Sequence, residues 1–301
     1  MESSEKNQRT NILQVVKELG TEQLLVQAVY NGHVPRAAQT LACSIIFTLL
    51  GTLIGFRIAP DNAVIVSVFL TVLGLMPTFS LLVQREQSAP HLHKTKWYGS
   101  FKYGPQLKLA LGVLAMFCGV MTVYAAWALV LPNDSLHIKF GLHIKPYLSM
   151  RSPDYKPEHF ESIFFNNLMV ALGVMLLSAF YRIGGALLIL VWNASLWGSV
   201  FAFFARVQPE SETLATSLLQ FIKLMSAVLP HTLLEAFAYV MVALAGLVLP
   251  RLILRDDQAK AEHWKTLRGM LVLLAAGLIL VRLAAAVEVT FAPTVLKAMQ
   301  L

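Results

Sequence analysis

The stretch "LALGVLAMFCGVMTVYAAWALVL", residues 109–131, carries no charged side chain over a length that settles what kind of protein this is. As a helix rising about 1.5 Å per residue it reaches roughly 35 Å, enough to cross a hydrocarbon layer about 30 Å thick. Comparable apolar runs lie at Leu41 to Phe56, Ala63 to Val83, Ile163 to Phe180, Gly184 to Ala205, Leu233 to Leu249 and Gly269 to Val289. The composition agrees, with 56% hydrophobic residues, 14% charged residues and a mean hydropathy of +0.63 over 301 residues. A water-soluble domain of this size is far more polar. The reading is therefore an all-α, polytopic transmembrane bundle with about seven spans.

An eighth apolar stretch, Leu214 to Leu229, is short, holds Lys223 in its middle and ends at Pro230. The distribution of basic residues decides how it sits, because Lys and Arg in short loops mark the cytoplasmic side. With the N-terminus inside, the basic loop 85–108 and the turn at Arg182 are both cytoplasmic. If residues 213–230 dip into the membrane as a re-entrant or interfacial segment, "RLILRDDQAKAEHWKTLR" (251–268) is cytoplasmic too. This gives seven crossings in an inner (cytoplasmic) membrane, with Pro230 as the hinge or first-turn residue of the sixth span and residues 132–160 as a short ordered external cap. No cleavable signal peptide is visible.

Residues 10–31 place apolar side chains at roughly helical spacing and read as a cytoplasmic amphipathic helix within segment 1–39. Residues 40–106 form a two-span hairpin plus a basic loop. The net charge of +7 sits in short loops rather than along one polar face, which fits membrane orientation and not nucleic acid. The patch "HLHKTKWYG", with His91 and His93, reads as an interfacial anchor. Cys43 and Cys118 fall inside apolar runs and offer neither a disulfide nor a cysteine zinc site.

Within the spans, the informative residues are the polar ones. Asn166 and Asn167 open the fourth span, Asn193 lies in the fifth, and His231 with Glu235 begins the sixth. Each loses water on insertion, so these five are expected to face one another or a wet cavity. His231 and Glu235 are four apart and share a helix face, continued by Tyr239, Val242 and Gly246. The cluster admits four readings: a zinc site, a proton relay, a gate hinged at Leu229–Pro230, or interhelical hydrogen bonds that lock the bundle. The zinc reading lacks ligands, because catalytic zinc needs three protein donors and a water; no metal and no cofactor is expected. Arg282, deep in the last span with Glu288, has Glu235 as a conceivable partner. Gly51 and Gly55, and Ala194 and Gly198, have the small-xxx-small spacing that permits close helix contact.

Three motifs carry a family resemblance: "FFNNLMVALG" from Phe164, "WNASLWG" from Trp192 and "LPHTLLEAFAYVMVALAGL" from Leu229. In this order, over about residues 107–301, the chain resembles the stage II sporulation protein M family. Thr232 stands where glycine is usual, and residues 1–106 have no counterpart. The resemblance implies an all-helical protein of envelope complexes, which in endospore formers acts with peptidoglycan-cleaving partners during engulfment. It points to a non-enzymatic scaffold whose partners are the bilayer, other envelope membrane proteins and further copies of itself. A transport permease is the alternative, because some family members resemble permeases that pair with a cytoplasmic ATPase; an intramembrane metal-dependent hydrolase is a third.

Overall fold

The computed structural model describes residues 36–87, 104–148, 157–209, 211, 213–254 and 260–298. The amphipathic segment 10–31 and the patch holding His91 and His93 lie outside the described residues. In chain order the helices are α1 (Arg36–Ile58), α2 (Ala63–Gln87), α3 (Gly104–Val130), α4 (Asn133–Lys139), α5 (Gly141–Ile144), α6 (Phe160–Arg206), α7 (Leu214–Leu254) and α8 (Lys260–Ala298). Six of them, all but α4 and α5, are long and apolar enough to cross a membrane. The fold is an all-α bundle in which α1 pairs with α2 and α3, α3 with α6, α6 with α7, and α7 with α8.

Helix α6 is two antiparallel limbs rather than one rod. Arg182, at φ 54° and ψ −131°, reverses the chain, and these angles belong to the first central residue of a type II′ turn, where glycine is usual. Beyond the reversal, Gly185 packs against the Leu177 backbone and Gly173 against Ile189. Each limb is long enough to span by itself, so the described residues hold seven stretches of spanning length. Because a non-glycine residue pays about 1–3 kcal/mol in such a conformation, Arg182→Gly is expected to stabilise the protein by about 1 kcal/mol after the unfolded-state cost of glycine is subtracted. A lower thermal midpoint for the variant would refute this.

Helix α7 corrects the reading of Pro230. The structure runs one helix through that residue, which lies well inside α7 and not in its first turn. A straight helix of this length would measure about 61 Å. Yet Leu214 and Ser217 share a pocket of about 350 Å³ with Arg206 and Asn133 at one end of the bundle, and Gly246 packs on Met175 and Ser178 toward the Arg182 end. Apolar residues on both sides keep the helix going where a sequence rule would stop it. Packing against neighbouring helices lets a helix inside a bundle tolerate the bond that Pro230 cannot make.

The segment that enters the bundle between spans is instead residues 133–147. Leu136, Phe140 and Ile144, four residues apart, are all buried, so the cap inserts one apolar face among α1, α3 and α6. Phe56 of α1 meets Trp127 and Phe140 edge-on, and the Trp127 indole donates to Thr52 at 2.9 Å. Arg206 closes the end of α3, donating to the carbonyls of Ala128 (2.8 Å) and Leu131 (2.6 Å) and to Asn133 Oδ1 (2.6 Å).

Candidate functional site

Glu235 lies on the inward face of α7 and is 4% exposed. Asn167, from the first limb of α6, donates its amide to Glu235 Oε1 at 2.6 Å. Asn166 lies on the exposed side of that helix and reaches Asn167 Oδ1 at 3.3 Å. His231 is buried one turn before Glu235. Of the five expected residues, the structure thus joins Asn166, Asn167 and Glu235 in one chain of contacts. Asn193 is also buried, but its amide donates to Ile189 O of its own helix at 2.9 Å, the back-bond a polar side chain makes when no other partner is aimed at it.

The residue missing from the expected cluster is Glu288. On α8 the buried positions Val281, Ala284, Ala285, Val289 and Ala292 mark an inward stripe, and Glu288 falls on it one turn after Ala284. Its charge acts on Glu235 and Tyr239 of α7 and on Tyr147 of the inserted segment. The spacing of the stripe could have revealed it, but the neighbouring Arg282 drew attention as a pairing partner. Arg282 is spent elsewhere, with its guanidinium 5.5 Å from the ring centres of both Phe160 and Phe164. Two like charges 4 Å apart repel by about 4 kcal/mol at an effective dielectric constant of 20. Two carboxyls on facing helices, one buried and one half-buried, are therefore held near each other most cheaply when a proton or another cation sits with them.

The inserted segment supplies a second buried group. His143 is 1% exposed and its Nδ1 lies 2.8 Å from Ser199 Oγ. The single Ser199 hydroxyl proton also has Ser195 O and Leu196 O within reach, at 2.8 and 3.1 Å; in the tautomer protonated at Nδ1 the imidazole donates to this hydroxyl. Trp192 and Tyr124 flank the ring. Burial lowers the His143 pKa to about 4, from 6.5. The seated cap therefore gains its full stabilisation above about pH 6.5 and loses it as pH falls toward 4, because the displaced imidazole takes up the proton more readily. The thermal midpoint should drop over that interval in the wild type and stay flatter in His143→Gln; parallel curves would exclude His143 as the titrating group.

Among the described residues no three His, Cys, Asp or Glu side chains converge to hold a metal. What the arrangement can do is lock helices through amide and carboxyl groups, or take up and release a proton. The model of the family Stage II sporulation protein M matches residues 109–293. The chain belongs to the stage II sporulation protein M family. Every member of the Asn167–Glu235–Glu288 group, together with His143 and Tyr147, lies within the family-matched region, whereas α1 and α2 precede it. No curated protein and no solved structure gave a significant match.

Proposed function

We infer that this stage II sporulation protein M family chain is a non-catalytic assembly component of a cell-envelope complex, seated in the inner membrane with its N-terminus in the cytoplasm. Residues 107–301 form the family domain, and 40–106 are a hairpin docked onto it. The observation that carries this reading is the Asn167–Glu235 bond, which ties α6 to α7 inside the family-matched bundle. Such a bond suits a rigid platform for other membrane proteins. The basic loops favour the cytoplasmic placement of the N-terminus.

A gentle pull-down of the tagged chain from its native membranes, with mass spectrometry of copurifying chains, tests the assignment. Stoichiometric envelope proteins are the expected result. Recovery of this chain alone, as a monomer or homo-oligomer, would overturn it, and a stoichiometric ATPase would replace it with the permease reading. A second reading, proton coupling, is favoured by one observation: Glu288 faces Glu235 across the α7–α8 contact, and intramembrane carboxyls commonly mark proton relays.

A further inference from the structure

Helix α8 packs on α7 and α6, and among the described residues it is the least buried of the six long helices. Away from its inward stripe of Val281, Ala284 and Ala285 runs an exposed one: Arg268, Val272, Ala275, Ile279, Arg282 and Thr290. These are three or four residues apart, with half-buried Ala286 between the last two, so they share one helix face. In a membrane such a face ordinarily meets lipid and is apolar. Arg282 breaks that rule, because it lies well inside the apolar run Gly269 to Val289 and is exposed on the outside of the bundle.

The guanidinium rests against Phe160 and Phe164, 5.5 Å from each ring centre. Those rings stack on each other with centres 6.3 Å apart and planes 7° apart. Attraction to the two rings fixes where the cation sits. It does not supply a counter-charge, and among the described residues no carboxylate or carbonyl accepts from the Arg282 N–H groups. Glu161, beside Phe160, is exposed and forms no ion pair with it, and Glu288 lies on the inward stripe. Thr290 is different: its hydroxyl donates to Ala286 O at 2.7 Å and needs nothing from outside its helix.

Ionisable side chains within membrane spans almost always face the bundle interior and pair there. An arginine held on the outer face, unpaired within its own chain, takes its counter-charge from outside that chain. A second copy is a poor source, since a twofold axis through this face would set the two Arg282 charges against each other. A helix of another protein with an aspartate or glutamate at this level is a good one. Its carboxylate fits the guanidinium fork with two parallel hydrogen bonds, and its flanking residues lie along Val272, Ala275 and Ile279. The small side chains of Ala275 and Ala286 let the two backbones come close. A phospholipid headgroup meets the charge alone, whereas a helix meets both the charge and the stripe.

We propose that the exposed face of α8 docks a transmembrane helix of a partner protein that carries an aspartate or glutamate opposite Arg282. This rests on the assembly-component reading and gives it a surface and a partner chemistry. Arg282 sets the register of the docked helix through charge, and the apolar residues around it supply the contact. The surface from Arg268 to Thr290 lies within the family-matched region.

The test is photocrosslinking of the full-length chain in its native membranes, with a benzophenone amino acid at Ile279 and, as a control, at Ile46 on the exposed side of α1. Ile279 should trap one protein through a membrane-spanning peptide that contains an aspartate or glutamate, and Ile46 should not trap it. Arg282→Gln should cut the adduct at least tenfold, Arg282→Lys should keep most of it, and Arg282→Glu should abolish it. Replacing the acid of the trapped helix by arginine should restore the adduct on the Arg282→Glu background. A misfolded chain is not rescued by a change in its partner, so a failed rescue would overturn the charge pairing. Adducts to lipid or to a second copy only, while partner chains still copurify, would overturn the docking surface and leave the assembly reading standing. An adduct undiminished in Arg282→Gln would do the same. No adduct and no copurifying chain would overturn both.

Discussion

Asn167→Ala is expected to lower the thermal unfolding midpoint of the detergent-solubilised protein by several degrees, one of the two largest single-residue effects in the molecule. The substitution removes the amide that donates to Glu235 Oε1 at 2.6 Å and leaves a carboxyl, 4% exposed, without that donor. Loss of one partner from a buried pair costs about 1–3 kcal/mol, more than the net worth of the bond, because the survivor keeps its desolvation penalty. In a bundle of this size about 2 kcal/mol corresponds to roughly 4–8 °C. Glu235→Gln keeps an acceptor for Asn167 and should melt within a degree or two of the wild type. Glu235→Ala on an Asn167→Ala background should add little, since the interaction is already gone. Additive losses in that cycle would show that the contact does not couple the two helices.

The same variants separate a lock from a working site. If the group only ties α6 to α7, cellular function should follow stability, and Glu235→Gln should be active. If the group exchanges protons, Glu235→Gln should keep its yield and midpoint yet lose the cellular phenotype, because an amide cannot take the place of an ionisable carboxyl.

How far the sequence disclosed these features depended on the length scale over which each signal is written. The spans were legible because each is an unbroken apolar run matched to the membrane thickness. The α6 reversal was legible because Arg182 interrupts two such runs. Pro230 misled because a rule for helix starts was applied to one residue, when the apolar residues flanking it decide that α7 continues. Asn167 and Glu235 were found by the cost of burying them. Asn193 meets that cost within its own helix, a choice the residue type does not disclose. Glu288 could have been placed from the stripe that includes Val281, Ala284 and Ala292. His143 could have been placed from Leu136, Phe140 and Ile144, but the polar residues between them let the segment read as an external cap rather than one packed among the helices.

The second large effect concerns close approach rather than polarity. Gly198, on the second limb of α6, faces α3 so closely that an added Cβ would collide with the carbonyl oxygen of Met121, with the Ala125 nitrogen 3.1 Å away. Those are backbone atoms and have no rotamer to change, so Gly198→Ala must push α3 from α6. Helices in a membrane gain little from burying apolar surface away from lipid, which leaves van der Waals contact as a main source of their association. Separating two helices along such a seam should cost at least about 3 kcal/mol, at the upper end for overpacking. Gly185→Ala, which drives a Cβ into the Leu177 backbone, should fail in the same way by opening the α6 hairpin. Gly269 provides the control, because nothing lies within 4 Å of its Cβ position. Within α8, Gly269→Ala should be neutral or gain up to about 1 kcal/mol from helix propensity. Thermal midpoints and the monodisperse fraction after solubilisation decide the matter: if Gly198→Ala behaves like Gly269→Ala, the α3–α6 seam is not the close contact that holds the inserted segment and its histidine in place.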